Sequence, residues 1–533
     1  MDELEGRATP AANWSYEGPQ PIKSSDPIVE YGGLVNAIAV FGSNGAGKLR
    51  EMLLATGGGV WRSTDFVNVS GVPNTDPTWT PTTENFKTLL NPTTGLGSGL
   101  LDVSTLTIDP LSSGQTVYAG TGYPGSAGGS GILVSINGGQ TWSALAQGTG
   151  SNPTEFWHLN CTGIVADPRP GKQDTLWASF MPANAAGNVT PHPLGGIFRS
   201  RDNGRTWAKL FGVEGGNEIG GIFPLETIAV TDLEYRYDAS ARRLVLLAGV
   251  IDSTPAHSGI WRSEDAGKTW LQVANLGLTP PLGGKLARVL LTAAHPQGGG
   301  GANSPIAAAF VYSKPGAGGF SVFVVRSTDG GANWTDTGFR KDLGDQLMRN
   351  LAFEANIDGR IWIAGQIDGY ASDTNGRFGA NPRHVISAGS THADHLDFAF
   401  YGGSTYDAND GGIWVKRRLD SGWVSQNHAM GNIQLHAVDS NPDKPDDMIA
   451  GSQDNGGVER YGRTGATSWH QAAELGGDGE AARYARIVNR KDSRPLFPLL
   501  LVEAGGVDLR LIDQTLDAGN PRFGHDPRPG PSR

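Results

Sequence analysis

The residues best suited to chemistry crowd into one segment, Thr391-His392-Ala393-Asp394-His395-Leu396-Asp397, where two imidazoles and two carboxylates fall within six residues. Neutral imidazole and carboxylate are ordinary ligands of a divalent metal, and histidine titrates near neutrality. His392 and His395 are therefore candidate metal ligands, and proton transfer is the other chemistry this segment could do. Extended backbone would set His392 and Asp394 on one face and His395 and Asp397 on the other, so the four converge only if part of the segment is loop. Strand-entry hydrogen bonding to nearby backbone is the purely structural alternative. A second constellation, Thr154-Glu155-Phe156-Trp157-His158-Leu159-Asn160, places an aromatic beside a carboxylate and an imidazole. Glu155, Trp157 and His158 would suit stacking on a sugar ring, and the alternative is a loop aromatic packed on its own structural unit.

One heptapeptide imitates a nucleotide site. Gly42-Ser43-Asn44-Gly45-Ala46-Gly47-Lys48 opens like a phosphate-binding loop, but Leu49 stands where Ser or Thr must hold magnesium, and no helical pattern follows. It reads as a hairpin turn between Ile38-Ala39-Val40-Phe41 and Met52-Leu53-Leu54-Ala55.

The elements that must position these groups come from a repeat. An octapeptide recurs at Ser135-Ile136-Asn137-Gly138-Gly139-Gln140-Thr141-Trp142, Ser200 to Trp207, Ser263 to Trp270 and Ser327 to Trp334, with serines 65, 63 and 64 residues apart. The side chains of Ser135, Asn137, Ser200, Asp202, Ser263, Asp265, Ser327 and Asp329 can accept backbone hydrogen bonds, glycine takes the positive φ of a tight hairpin, and Trp142, Trp207, Trp270 and Trp334 cover the sheet. A β-rich run precedes each copy, two more strands lie upstream, and four strands in ~64 residues make one propeller blade. Degenerate copies begin at Ser63, where the closing Trp is displaced to Trp79, and extend through Trp362, Trp414 and Trp469.

Composition agrees. Of 533 residues, 78 are Gly and 32 are Pro, about one in five, which disfavours helical architectures. A net charge of −11 without a basic patch argues against nucleic acid, the single Cys161 excludes an internal disulfide or thiolate cluster, and no apolar run approaches a membrane span. No export signal is visible at the N-terminus.

With these octapeptides the chain resembles the BNR or Asp-box β-propellers, the superfamily of sialidases, sortilin-type receptors and xyloglucanases. The ordered run of the His-Ala-Asp-His segment, Asn409-Asp410-Gly411-Gly412, Gln453-Asp454-Asn455-Gly456 and Gly476-Gly477-Asp478-Gly479 is similar to the later blades of uncharacterised bacterial members. The resemblance implies an all-β propeller of four-stranded blades, about seven to nine of them. It would occupy residues 32–480, after an N-terminal segment 1–31 whose Asn13 to Glu17 supplies a closing strand. A partial blade over 481–516 and a disordered tail over 517–533 would follow. The acids of the octapeptides lie on outer hairpins and are structural, so they identify fold and not catalysis.

The same resemblance implies a glycan or polysaccharide held in the axial funnel, with the protein secreted or periplasmic. Glycoside cleavage needs one carboxyl as general acid and another as base or nucleophile. Asp394, Asp410, Asp454 and Asp478 are the candidate pair-formers, with Gln453 and Asn455 as ligand-binding neighbours. No cofactor is required, a divalent metal entering only through the His/Asp segment. Sialidase chemistry is disfavoured, because its Phe/Tyr-Arg-Ile-Pro segment and arginine triad are missing. The competing class is a non-enzymatic propeller that binds a protein or peptide.

Overall fold

The computed structural model describes residues 22–23, 30–42, 50–83, 101–123, 128–146, 156–182, 195–211, 228–273, 284–294, 306–314, 319–417, 420–441, 444–460, 469–471, 479–484, 487–488, 495–496 and 499–503. They are all-β apart from a single 3-10 turn, Pro255–His257. Two compact units are present, residues 30–432 and residues 1–29 with 433–533.

The larger unit contains seven four-stranded antiparallel sheets in sequence order. Their first strands are Val35–Gly42, Val103–Ile108, Leu159–Ala166, Ile228–Asp238, Leu286–Ala293, Ala352–Ala355 and His395–Tyr401. Each touches the next, and the seventh touches the first, so the sheets are blades of a closed ring with these strands innermost. Second strands read as continuous apolar runs because both faces are covered by neighbouring blades. Arg50–Thr56 is buried throughout, and Arg243–Asp252 is buried at every position but its first.

The octapeptides close the hairpin between third and fourth strands. In blade 4, Ser263 Oγ donates to Asp265 Oδ1 at 2.9 Å and accepts from Gly267 N at 2.9 Å, while Asp265 accepts from Thr269 N at 2.8 Å and Thr269 Oγ1 at 2.6 Å. Blades 2, 3 and 5 repeat the pattern at Ser135, Ser200 and Ser327. Burial pushes Asp202, Asp265 and Asp329 up, but hydrogen bonds from Thr206, Thr269 and Asn333 outweigh it and hold all three below the ordinary carboxylate value. In the interrupted first copy Asp65 Oδ1 accepts from Thr78 N across the insertion at 2.8 Å, which restores the hairpin before Trp79. The Arg before a copy's Ser donates to the next blade's hairpin, Arg62 to Gly138 O at 3.2 Å and Arg262 to Gly330 O at 2.8 Å.

The ring is closed by side-chain amides. Asn432 accepts from Gly33 N at 2.9 Å and donates to the carbonyls of Gly33 and Leu34. Asn427, fully buried, accepts from Ile413 N at 2.8 Å and donates to Gly411 O at 2.8 Å and Glu30 O at 2.9 Å. Trp79 Nε1 donates to Gln426 O at 2.7 Å. Asn13 to Glu17 lie outside the described residues.

The seven sheets of the larger unit and the seam that follows them end by residue 432. The eighth blade, Leu435–Asn441, Lys444–Ser452, Gly456–Arg460 and Trp469–Gln471, belongs to the smaller unit. There Ile22–Lys23 pairs in parallel with Trp469 and His470 and covers that blade's outer edge. Gly479–Tyr484 pairs with Leu499–Glu503, and Ile487–Val488 with Pro495–Leu496. The segment 517–533 lies outside the described residues. So does residue 43 to 49 of the phosphate-loop look-alike, but its flanks, Val35–Gly42 and Arg50–Thr56, pair antiparallel, as a hairpin requires.

Candidate functional site

Antiparallel order dictates where side chains can meet. Every first strand begins at the ring end that also carries the turns between second and third strands, and the octapeptide hairpins lie at the other end. The first end is the candidate mouth.

Near the mouth, β-bulges interrupt the first strands at residues 36, 104, 162 and 231. Each bulged side chain donates to a carbonyl of the next blade's first strand: Asn36 to Val103 at 2.7 Å, Ser104 to Cys161 at 2.7 Å, Thr162 to Val230 at 2.8 Å and Thr231 to Val289 at 2.7 Å. Acids continue this stapling. Asp232 Oδ2 accepts from Leu291 N at 2.7 Å, Asp397 Oδ2 from Ile38 N at 2.8 Å, and Glu354 Oε2 from Thr292 Oγ1 at 2.7 Å. These carboxyls are half-buried. Burial pushes Asp232 up to about 7 and Asp102 up to about 6. Burial, then the charges of Asp397 and Glu234, hold Glu354 well above the usual range. Sequence reading missed Asp102, Asp232 and Glu354. What they share in sequence is only an acid within or just before a blade's first strand.

The His/Asp segment does not converge as a metal centre. Residues 391–394 form the entry to the seventh blade, with Asp394 at φ 62°, and a bulge at Leu396 pairs His395 with Asn409 but Asp397 with Ala408. That shift reverses the side-chain alternation, so His395 and Asp397 do not share a face. His395 Nδ1 lies 2.8 Å from Asp407 Oδ1, both fully buried, while His392 is half-buried with Nδ1 3.2 Å from Ala393 O and its ring edge-on to Tyr31. The two imidazoles thus serve different partners.

What the segment does deliver is an acid pair. Strand pairing brings the blade entry beside the turn between the second and third strands, and a carboxylate oxygen of Asp394 lies within 4.8 Å of one of Asp410. A buried network shapes both loops. Asp407 engages His395 and, at 2.9 Å, Asn409 Nδ2, and Asn409 Oδ1 accepts from Gly411 N at 3.0 Å, which fixes the turn carrying Asp410.

Across the mouth, Tyr123 from blade 2 donates its hydroxyl to Asn350 Oδ1 of blade 6 at 2.9 Å. Burial first, then the charge of Asp410, raises the Tyr123 phenol well above its ordinary value, while Arg349 and Arg288 pull it down. Arg288 Nη1 donates to the carbonyls of Leu347, Met348 and Arg349, each at 3.3 Å, and so anchors the loop that presents Arg349 and Asn350.

The other sequence candidates are placed as follows. Asp454 lies with φ 56° on a tight turn of the smaller unit, where Gln453 Nε2 donates to Asp454 Oδ2 at 2.9 Å and Asn455 Nδ2 donates to Gln453 O at 3.1 Å. Trp157 is 8% exposed, which leaves little of its ring for stacking on a sugar, and the exposed His158 follows it at φ 60°. Glu155 and Asp478 lie outside the described residues.

No protein-family model and no curated protein matches the sequence. Among solved structures, an ancestral GH74 enzyme is similar over 91% of this chain and 61% of its own, with TM-score 0.54 and 16% identity. The GH74 xyloglucanase from Xanthomonas campestris is similar over 88% of this chain and 67% of its own, with TM-score 0.50 and 15% identity. The protein is a β-propeller. At these identities the likeness establishes the propeller's architecture, and the chain spans about three fifths of the first enzyme's length. Among the described residues of the propeller no helix is long and apolar enough to cross a membrane.

Proposed function

We propose that this propeller is carbohydrate-directed, taking a glycan at the mouth of its ring and cleaving it with the carboxyl pair Asp394 and Asp410. The observation that carries this reading is their separation, within 4.8 Å oxygen to oxygen, on two loops that one buried network holds. Retaining glycosidases hold their two carboxyls about 5–5.5 Å apart, whereas inverting ones leave about 6.5–9.5 Å for a water. One carboxyl would protonate the leaving oxygen and the other would attack the anomeric carbon, water then releasing the sugar with retention. The fold shared with GH74 enzymes supports a glycan over other ligands. Asp454, Gln453 and Asn455, with Asp478, are proposed as glycan-recognition residues of the smaller unit, and the protein as secreted or periplasmic.

A hydrolysis screen over β-glucan, xyloglucan and arabinan oligosaccharides tests the proposal. Asp394→Asn and Asp410→Asn should each lower turnover by at least a hundredfold while binding persists. Turnover equal in wild type and both variants would remove the pair from catalysis. Binding without hydrolysis by any form would favour a non-enzymatic propeller.

A further inference from the structure

The loop that enters the sixth blade carries a cation at the mouth of the ring, next in sequence to the Asn350 that holds Tyr123. Arg349 is half-buried, and its guanidinium has neither an ion-pair nor a hydrogen-bond partner among the described residues. Several other arginines of the ring pair with an acid: Arg62 with Glu51 at 2.7 Å, Arg169 with Asp167 at 2.5 Å and Arg340 with Asp336 at 2.7 Å. Arg201, Arg205, Arg377 and Arg383, which lack such bonds, stand exposed to water. The loop bearing Arg349 is held firmly, since Arg288 binds its carbonyls and Asn350 receives the Tyr123 hydroxyl.

From this placement we infer that Arg349, with Tyr123 and Asn350 beside it, forms a subsite for one carboxylate of the ligand, so that the glycan carries a uronic acid residue next to the acid pair. The inference rests on the carbohydrate reading above and narrows its substrate class. A guanidinium matches a carboxylate with two parallel N–H donors, and such charge-assisted bonds are roughly twice as strong as neutral ones. A polyanion is not the fit. The chain's net charge of −11 repels extended anions, and the charges of Asp410 and Asp102 act on Tyr123, so a single carboxylate seated on Arg349 suits the field better than a run of them.

Calorimetry on the full chain with a xylotriose bearing one glucuronic acid branch, and with the methyl ester of that acid, separates charge from sugar shape. Wild type should bind the free acid roughly ten- to a hundredfold more tightly than the ester. Arg349→Gln should bring the two within about twofold, and Arg349→Lys should keep part of the preference. Unchanged melting temperatures would certify both variants as folded. Equal binding of acid and ester by wild type, or a preference that survives Arg349→Gln, overturns the subsite while leaving the carbohydrate reading intact. If no acidic or neutral oligosaccharide binds, both fall. Arg349-dependent capture of a peptide's C-terminal carboxylate, with no sugar bound, would overturn the uronate assignment and the carbohydrate reading together.

Discussion

The axial acids make stability depend on pH in an unusual direction, and Asp232 isolates the effect. Burial moves its carboxyl from 3.8 to about 7, so the folded ring holds a proton that the unfolded chain releases near pH 4. A raised acid contributes its full stability below the unfolded value, and that contribution is lost as pH rises from about 4 towards 7. Each pH unit in that window is worth about 1.4 kcal/mol, so Asp232 alone would cost at most about 3 kcal/mol between pH 5 and pH 8. Water reaching a half-buried channel group reduces this to about 1–2 kcal/mol. Asp232→Asn removes the charge yet keeps an oxygen to accept the Leu291 amide, which now lies 2.7 Å from Oδ2. Differential scanning fluorimetry should therefore show the wild type melting lower at pH 8 than at pH 5. The variant should recover roughly 1–4 °C at pH 8 and change little at pH 5. A wild type equally stable at both pH values, or a variant destabilised by several degrees at pH 8, would refute the reasoning, because the ionised carboxylate would then be the form the fold requires.

Two further variants probe the ring itself. Ala266 sits in an octapeptide hairpin at φ 64°, where glycine is unstrained, so Ala266→Gly should raise stability by about 1 kcal/mol in urea unfolding, and a loss would show that the methyl group packs usefully. Asn427→Ala would strand Ile413 N, Gly411 O and Glu30 O at the seam where the last blade meets the first. Its expected cost is about 2–4 kcal/mol, seen as a lower urea midpoint with earlier proteolysis at the seam, and a change below about 0.5 kcal/mol would mean that water replaces the amide.

The repeat was legible because the octapeptide hairpin is local. Ser263, Asp265, Gly267 and Thr269 satisfy one another within seven residues, so their spacing is the structure. Even the interrupted first copy could be read, Asp65 reaching over the insertion to Thr78 as the displaced Trp79 suggests. The seam was less legible, since Asn427 and Asn432 find partners about 400 residues away. The His/Asp segment was misleading for a specific reason. A single extra residue at Leu396 turns His395 towards Asp407 and Asp397 towards Ile38, and a bulge leaves no mark in composition.

The same bulges help to separate structural acids from functional ones. A bulge frees backbone groups that the blade's own ladder no longer pairs, and buried amides need an acceptor. Asp232 meets that need at Leu291 and Asp397 at Ile38, so their unusual environment follows from closing a ring of bulged strands, and perturbation alone does not make them reactive. Asp394 and Asp410 differ, because they lie on the entry and turn that the Asp407 network shapes. Arg349 differs in the same sense: its main chain is spoken for by Arg288, and its side chain is not. The mouth brings an acid pair on the seventh blade and a cation on the loop that enters the sixth to one end of the ring, and that is where a ligand's chemistry should be sought.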